Sequence, residues 1–332
     1  MKYIIDGHYD ILMDVAARRK KGERQVIRRR YYPAFQKGGV TGIVASIFVD
    51  SQYLPYGALS VAMEQISALH CEIEETPDLL MLCTSADDFL RAAETGKIGF
   101  LLSFEGAEPV SSCLLLHGFY AAGVRGLGLA WSRRNAAADG CDFSGSLKKG
   151  GLTEFGRELV KEAEALHMIL DLSHLSDEGV EDVLSITSCP VIASHSNSRA
   201  VAGSNRNLTD CQMREIASRG GTVGLNGCSL LTAGPGVSPD QNGLTAHLDH
   251  MTEIMGEDHV AFGFDFCDSF FADDLSSSTD QMPERPFDIL SGAHENLPAF
   301  LDHLRQHGYT ESHLAKLAGE NWLHTFRHIL KH

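Results

Sequence analysis

IGFLLSFEG, residues 98–106, decides how the rest of the chain is read. A run of apolar and small residues, long enough for a buried strand, ends abruptly on the carboxylate of Glu105. Burying a carboxylate there is costly unless it is paired or coordinates a cation. The same design recurs along the chain. YIIDGHYD (3–10) runs into His8 and Asp10, and MILDLSHLS (168–176) runs into His174. VIASHSNS (191–198) runs into His195, and VAFGFDFCD (260–268) into Asp265.

Working outward, eight strands are expected, at residues 3–6, 42–49, 98–104, 124–130, 168–173, 191–194, 222–226 and 260–264. Helical spacing of apolar residues is seen at 59–75, 153–167, 177–184, 209–219 and 244–255. Thr153 and Thr209 are placed to cap helix starts, and Gly220-Gly221 to end a helix. Strands alternating with helices argue for parallel βα units, because a parallel crossover needs a dozen or so residues. At 332 residues the economical closure is a (β/α)₈ barrel of the TIM type, with an open doubly wound sheet as competitor. No Pro/Ser linker divides the chain and no internal repeat is present, so one domain over residues 1–332 is expected. Stretches 232–243 and 270–288 read as long surface loops.

Composition narrows the function. Hydrophobic residues make up 43% and charged residues 22%, which excludes a largely disordered chain. The net charge of −16, with no long uninterrupted basic block, argues against nucleic acid or an anionic membrane as partner. No run approaches the ~20 apolar residues of a membrane span. The N-terminal apolar run is too short for a signal-peptide core. Eight scattered cysteines without a C-x-x-C pair suit reduced, buried thiols, and a cytoplasmic location is expected.

In a parallel barrel every strand C-terminus opens on one face, and that face carries the active site. His8, Asp10, Glu105, His174, His195 and Asp265 would therefore converge at one mouth. A single His-x-Asp pair, or a lone histidine, is weak evidence; their coincidence at strand ends is the signal. As i and i+2 neighbours, His8 and Asp10 would share a face if the strand geometry persisted. Imidazoles and carboxylates without thiolates suit zinc in a catalytic site. One glutamate among three histidines and an aspartate invites two ions about 3.5–4 Å apart with a hydroxide between them. Asp265 would then shuttle protons, and a nearby arginine would hold an anionic substrate group. The pairs His303/His307 and His324/His328 lack the glutamate of H-E-x-x-H and read as solvated helix faces.

These segments together resemble the membrane dipeptidase (renal dipeptidase) family of zinc peptidases nearly end to end. DGHYD is similar to the family's DGHND, SFEG to its EG turn, and DLSHLS is a near-verbatim segment. ASHSNSRAV, NRNLTD, GFDF and AGENWLHTFR follow in the family's order. The resemblance implies a (β/α)₈ barrel with two zinc ions. His8 and Asp10 would ligate one, His174 and His195 the other, and Glu105 would bridge them. It further implies Asp265 as acid and base, Arg206 as the arginine that engages substrate, dipeptides (often with a C-terminal D-residue) as substrates, and a homodimer.

Two positions depart from the family pattern. Many members have a histidine, thought to contact the reacting carbonyl, where this chain has Trp131. The family often has N-F-Y where this chain has Asn226-Gly227-Cys228. Trp131 and Cys228 are therefore expected to line the substrate pocket. The rival expectations are another metal hydrolase on the same barrel, acting on N-acyl amino acids, cyclic amides or lactones, and a catalytically weakened metal-binding barrel.

Overall fold

The computed structural model describes residues 1–144, 150–271 and 287–330. Among the described residues nine strands form: β1 (Ile5–Tyr9), β2 (Gly42–Phe48), β3 (Leu80–Leu82), β4 (Ile98–Glu105), β5 (Val124–Gly128), β6 (Ile169–Asp171), β7 (Ile192–Ala193), β8 (Thr222–Leu225) and β9 (Val260–Phe262). Eight run in the order β1-β2-β4-β5-β6-β7-β8-β9 with every ladder parallel, and helices cross between them. The result is a nearly closed (β/α)₈ barrel.

All eight residues of β4 are buried, as a strand covered on both faces requires. Its pairing with β2 runs in unbroken register from Gly42↔Gly99 to Phe48↔Glu105. The strand missing from the sequence-based set is β3, which pairs with Ile98–Phe100 at the lower end of β4, below the point where β5 begins to pair at Leu102. Three residues carry too little periodicity to be read from sequence. Helix starts follow their caps: Thr153 accepts from Gly156 N, and Thr209 and Ser85 each form a full capping box. The stretch expected as loop at 232–243 is in part helical, since a helix starts at Gln241 under the cap of Asp240. Most of the loop expected at 270–288 lies outside the described residues.

The barrel is filled in layers. Ile5, Val44, Leu101, Ile169, Ile192 and Ala261 form an apolar layer closed from below by Trp322 and Phe326. Trp322 Nε1 donates to Phe262 O at 2.8 Å. A Cβ on Gly7 would sit 2.4 Å from the Trp322 ring, so the glycine of the D-G-H segment makes room for this plug. Two residues further along the same strands come Gly7, Ser46, Ser103, Asp171, Ser194 and Gly263. The side chains turn polar as the strands climb.

The expectation that the cysteines are buried needs correction. Cys189 and Cys211 are exposed, although all eight cysteines are free thiols as expected. His247 and His313 are buried. The paired C-terminal histidines have separate partners: His303 meets Thr245, and His307 meets Asp249. The basic run at residues 18–30 is matched by acids, Arg19 by Glu72 and Glu75 and Arg30 by Glu23. Among the described residues no helix is long and apolar enough to cross a membrane.

Candidate metal centre and substrate pocket

Each expected donor sits where a strand ends. His8 belongs to β1, Glu105 is the last residue of β4, and His174, His195 and Asp265 follow β6, β7 and β9 within three residues. Asp10 reaches the site differently from the strand alternation expected. The register slips between Asp6 and Tyr9, and Asp10 stands at the N-cap of helix Ile11–Lys20. It makes no capping bond, unlike most N-cap aspartates. Its carboxylate instead accepts from Ser46 Oγ and lies 3.6 Å from His8 Nε2.

Glu105 is the hub. Its Oε1 lies 2.8 Å from His174 Nε2 and 3.4 Å from His195 Nε2, while Oε2 lies 3.6 Å from His8 Nε2. Asp265 Oδ1 completes the group, 3.9 Å from His8 Nε2. Three overlapping sets of donor atoms result: His8, Asp10 and Glu105; Glu105, His174 and His195; His8, His195 and Asp265.

The far side of each ring explains why the Nε2 atoms face inward. His195 Nδ1 meets Ser194 Oγ at 2.7 Å, and that hydroxyl is itself bonded to Asp171. His174 Nδ1 meets Ser132 Oγ at 2.9 Å. Such partners set the tautomer and aim the other nitrogen. The donor set fits divalent cations on two counts. His8 Nε2 is buried without a hydrogen-bond partner. His174 Nε2 and His195 Nε2 also face each other at 2.9 Å, an arrangement that leaves both lone pairs directed at one place.

The charges agree. Without a cation, burial and the neighbouring Asp10 push Glu105 up to about 8. Burial, with Asp10 adding, pushes Asp265 up to about 6, against the pull of His8, Arg206 and the Asn226 amide. Burial depresses His8, but Glu105 and Asp10 outweigh it and hold the ring well above its usual value. His174 and His195 are held well below theirs, by burial first and by the positive charges of Arg206 and His8. A carboxylate hub that resists ionisation beside two neutral imidazoles is a site short of positive charge.

Above the cage opens a cavity of about 610 Å³, lined by Asp10, Glu105, Trp131, His174, Arg206, Cys228 and Asp265 among others. His8 and His195 lie beneath it. Arg206 is 9% exposed, donates from Nη1 to Ser196 Oγ and from Nη2 to His195 O, and has no carboxylate partner among the described residues. Trp131 stacks on His174, ring centroids 5.5 Å apart, with the Arg133 guanidinium 5.2 Å from the indole. Burial and the charge of Asp265 push the Cys228 thiol up to about 12, so it stays protonated at neutral pH.

Sequence reasoning missed the supporting residues: Ser132, Asp171, Ser194 and Asn226, whose Nδ2 donates to Asp265 Oδ2 at 3.0 Å. The readable signal was the aspartate inside the apolar run MILDLSH, costly unless fully bonded. A further acidic group, Cys267, Asp268 and Asp288, is a clasp between chain segments. Asp288 accepts from the backbone of Cys267 and Asp268, and Asp268 from that of Asp288.

Comparison with known proteins gives one answer. The family model described as membrane dipeptidase (peptidase family M19) matches residues 2–331. A crystallised dipeptidase of family M19 is 31% identical, with a TM-score of 0.86 over 99% of this chain and 98% of its own. A Rhodobacter sphaeroides metallopeptidase, liganded with a phosphinate mimic of the dipeptide L-Ala-D-Ala, is 31% identical. Its TM-score is 0.83, over 98% of this chain and 99% of its own. An uncharacterized Klebsiella pneumoniae protein from the pqqA 5′ region is 33% identical over 83% of this chain and 98% of its own length. With the match running almost from end to end in both sequence and fold, this chain belongs to the membrane dipeptidase family, peptidase family M19, and is a metallo-dipeptidase.

Proposed function

We propose that the chain, acting as one catalytic unit over residues 1–332, hydrolyses the peptide bond of short dipeptides at a pair of zinc ions. L-Xaa-D-Xaa substrates are included. The observation that carries this reading is the division of Glu105. One of its oxygens faces His174 and His195, and the other faces His8 beside Asp10. His8 and Asp10 would hold one ion and His174 and His195 the other, with Glu105 shared. Bound there, zinc would supply Lewis acidity toward the scissile carbonyl and lower the pKa of water to about 7.

The chain's own residues do the rest. Asp265 takes a proton from the attacking water and returns it to the departing amine, so the C–N bond breaks with a neutral leaving group. In the metal-free fold burial raises this carboxylate to about 6, above the usual aspartate value, so it binds a proton more readily than an exposed aspartate. The Asn226 amide holds its Oδ2. Arg206, a buried cation without a carboxylate partner among the described residues, receives the substrate's C-terminal carboxylate. Its fixed distance from the cage restricts the pocket to very short peptides. Trp131, Cys228, Phe48, Met13, Leu231 and Phe287 give the cavity an apolar wall. This wall favours apolar substrate side chains.

The test is a panel of L-Xaa-L-Xaa and L-Xaa-D-Xaa dipeptides with N-acyl amino acids and lactones as controls, assayed on zinc-loaded protein whose metal content is measured. Two equivalents of zinc and turnover confined to free dipeptides are expected. Metal-replete protein inert on all dipeptides, or active mainly on the controls, overturns the reading.

A further inference from the structure

Two short joints in the barrel lie directly under the cage. β6 and β7 share a single register pair, Asp171↔Ile192, and no β-ladder joins β9 to β1 among the described residues. Ladder hydrogen bonds normally fix the relative height of neighbouring strands. Here buried aspartates stand in their place. Asp6, 1% exposed, accepts with Oδ1 from His8 N (3.3 Å) on its own strand and from Phe264 N (2.8 Å) after β9. Asp171, 5% exposed, accepts with Oδ1 from Ser173 N (3.0 Å) beyond its own strand and from Ser194 N (2.9 Å) after β7.

The two brackets share one geometry. In each, one carboxylate oxygen ties the amide two residues ahead to an amide on the neighbouring segment. The second oxygen is held by a side chain, His294 Nε2 at 2.7 Å for Asp6 and the Ser194 hydroxyl for Asp171. The amides they grip belong to, or immediately precede, the site residues: His8, Asp265, His174 and His195. Two of these, His174 at φ +69° and Asp265 at φ +57°, adopt the left-handed conformation. That conformation is unfavourable for a non-glycine residue and persists only where the surroundings impose it. Asp265 N is further tied to His8 O at 3.2 Å.

We propose that Asp6, oriented by His294, is a positioning residue that acts through Asp265. The inference rests on the reading of Asp265 as the proton carrier. A bracket of this kind sets where a carboxylate stands, and misplacement of about 1 Å can cost on the order of 100-fold in turnover. A merely structural aspartate would lower stability and leave the turnover of folded, metal-loaded protein untouched.

The experiment compares Asp6→Asn, Asp265→Asn and the double variant in zinc-loaded protein with an alanyl dipeptide, recording metal content, kcat and KM. Asn keeps an oxygen for the two amides but loses the charge that holds it against His294. Asp6→Asn is expected to retain two metal equivalents and a KM within about threefold, with kcat down at least tenfold. The double variant should be no slower than Asp265→Asn alone, because Asp6 acts through Asp265. Unchanged kcat in Asp6→Asn, or losses that multiply in the double variant, overturns the proposal. Full activity in Asp265→Asn removes both this inference and the reading beneath it, whereas an inactive Asp265→Asn beside a fully active Asp6→Asn removes this inference alone.

Should Asp6→Asn not accumulate as folded protein, His294→Phe gives the same readout. Its ring packs edge-on to Tyr9, Phe35 and Phe266, so phenylalanine preserves the packing and deletes only the donor to Asp6. A severalfold fall in kcat at constant KM is expected, and wild-type kcat overturns the proposal.

Discussion

The two halves of the cage solve the same problem with opposite chemistry. On the β1 and β9 side, His8 stands among three carboxylates, Asp10, Glu105 and Asp265, and its ring is held above its usual pKa. On the β6 and β7 side, His174 and His195 meet one carboxylate oxygen, and burial with nearby cations holds both rings below theirs. In the metal-free protein the first half competes for protons, while the second presents neutral imidazoles with free lone pairs. Cation binding at the first half must therefore displace protons, and the second half is already in its ligating state.

The comparison breaks most visibly at Asp265, which belongs to the first half but is proposed to move protons rather than to ligate. Asp265→Asn should lower kcat by on the order of 10²- to 10⁴-fold, the range of a lost general acid and base, with zinc content unchanged. Loss of one zinc equivalent in that variant would instead make Asp265 a ligand.

Arg206 sits over the second half and supplies part of the charge that keeps its imidazoles neutral. Arg206→Ala should raise KM for dipeptides about 10- to 100-fold, as expected for a lost charged hydrogen-bonding pair. Steady-state kinetics showing an unchanged KM would refute its assigned role.

Protons and metal should compete at the first half in a way that stability measurements can follow. Glu105 and Asp265 are raised to about 8 and about 6 in the metal-free fold, above the carboxylate values of an unfolded chain. The fold thus holds protons that the unfolded chain has released. The contribution of these two carboxylates to metal-free stability is full below about pH 4 and declines as pH rises through the raised values toward about 8, while the depressed His174 and His195 act in the opposite sense below the usual imidazole value. The expected loss is on the order of a few kcal/mol, and zinc should restore it. Melting curves with zinc and with chelator should diverge from pH 5 to pH 8; parallel curves would show that the carboxylates are not strained.

The smallest effect is expected at Cys228, which lines the pocket near both halves but ligates in neither set. Its thiol stays protonated, so Cys228→Ser should keep kcat within about threefold. A loss beyond tenfold would give the sulfur a role in turnover.

Much of this site was legible before any fold was known. Glu105, His174, His195 and Asp265 announce themselves because charged or imidazole groups close apolar runs of strand length. The supporting residues were harder to see. Asp6 and Asp171 sit inside the runs that define their strands, where they look like interruptions of an apolar pattern rather than brackets. His294 lies in a segment with no motif of its own, 288 residues from its partner Asp6. The approach of Asp10 is not legible in the sequence either, since a register slip and a helix start, rather than continued strand alternation, bring it beside His8.

The linear order of residues by itself determined the parallel barrel and the set of donors at its mouth. Strand period and crossover length are local properties, and a barrel of parallel strands gathers all their C-terminal ends on one side. Only the tertiary structure decided which oxygen of Glu105 faces which imidazoles, which amides Asp6 and Asp171 grip, and that Arg206 is left without a carboxylate among the described residues. Those are contacts between segments far apart in the chain, such as the 258 residues between Asp6 and Phe264. Their partners are set by how the barrel closes, which no local preference encodes.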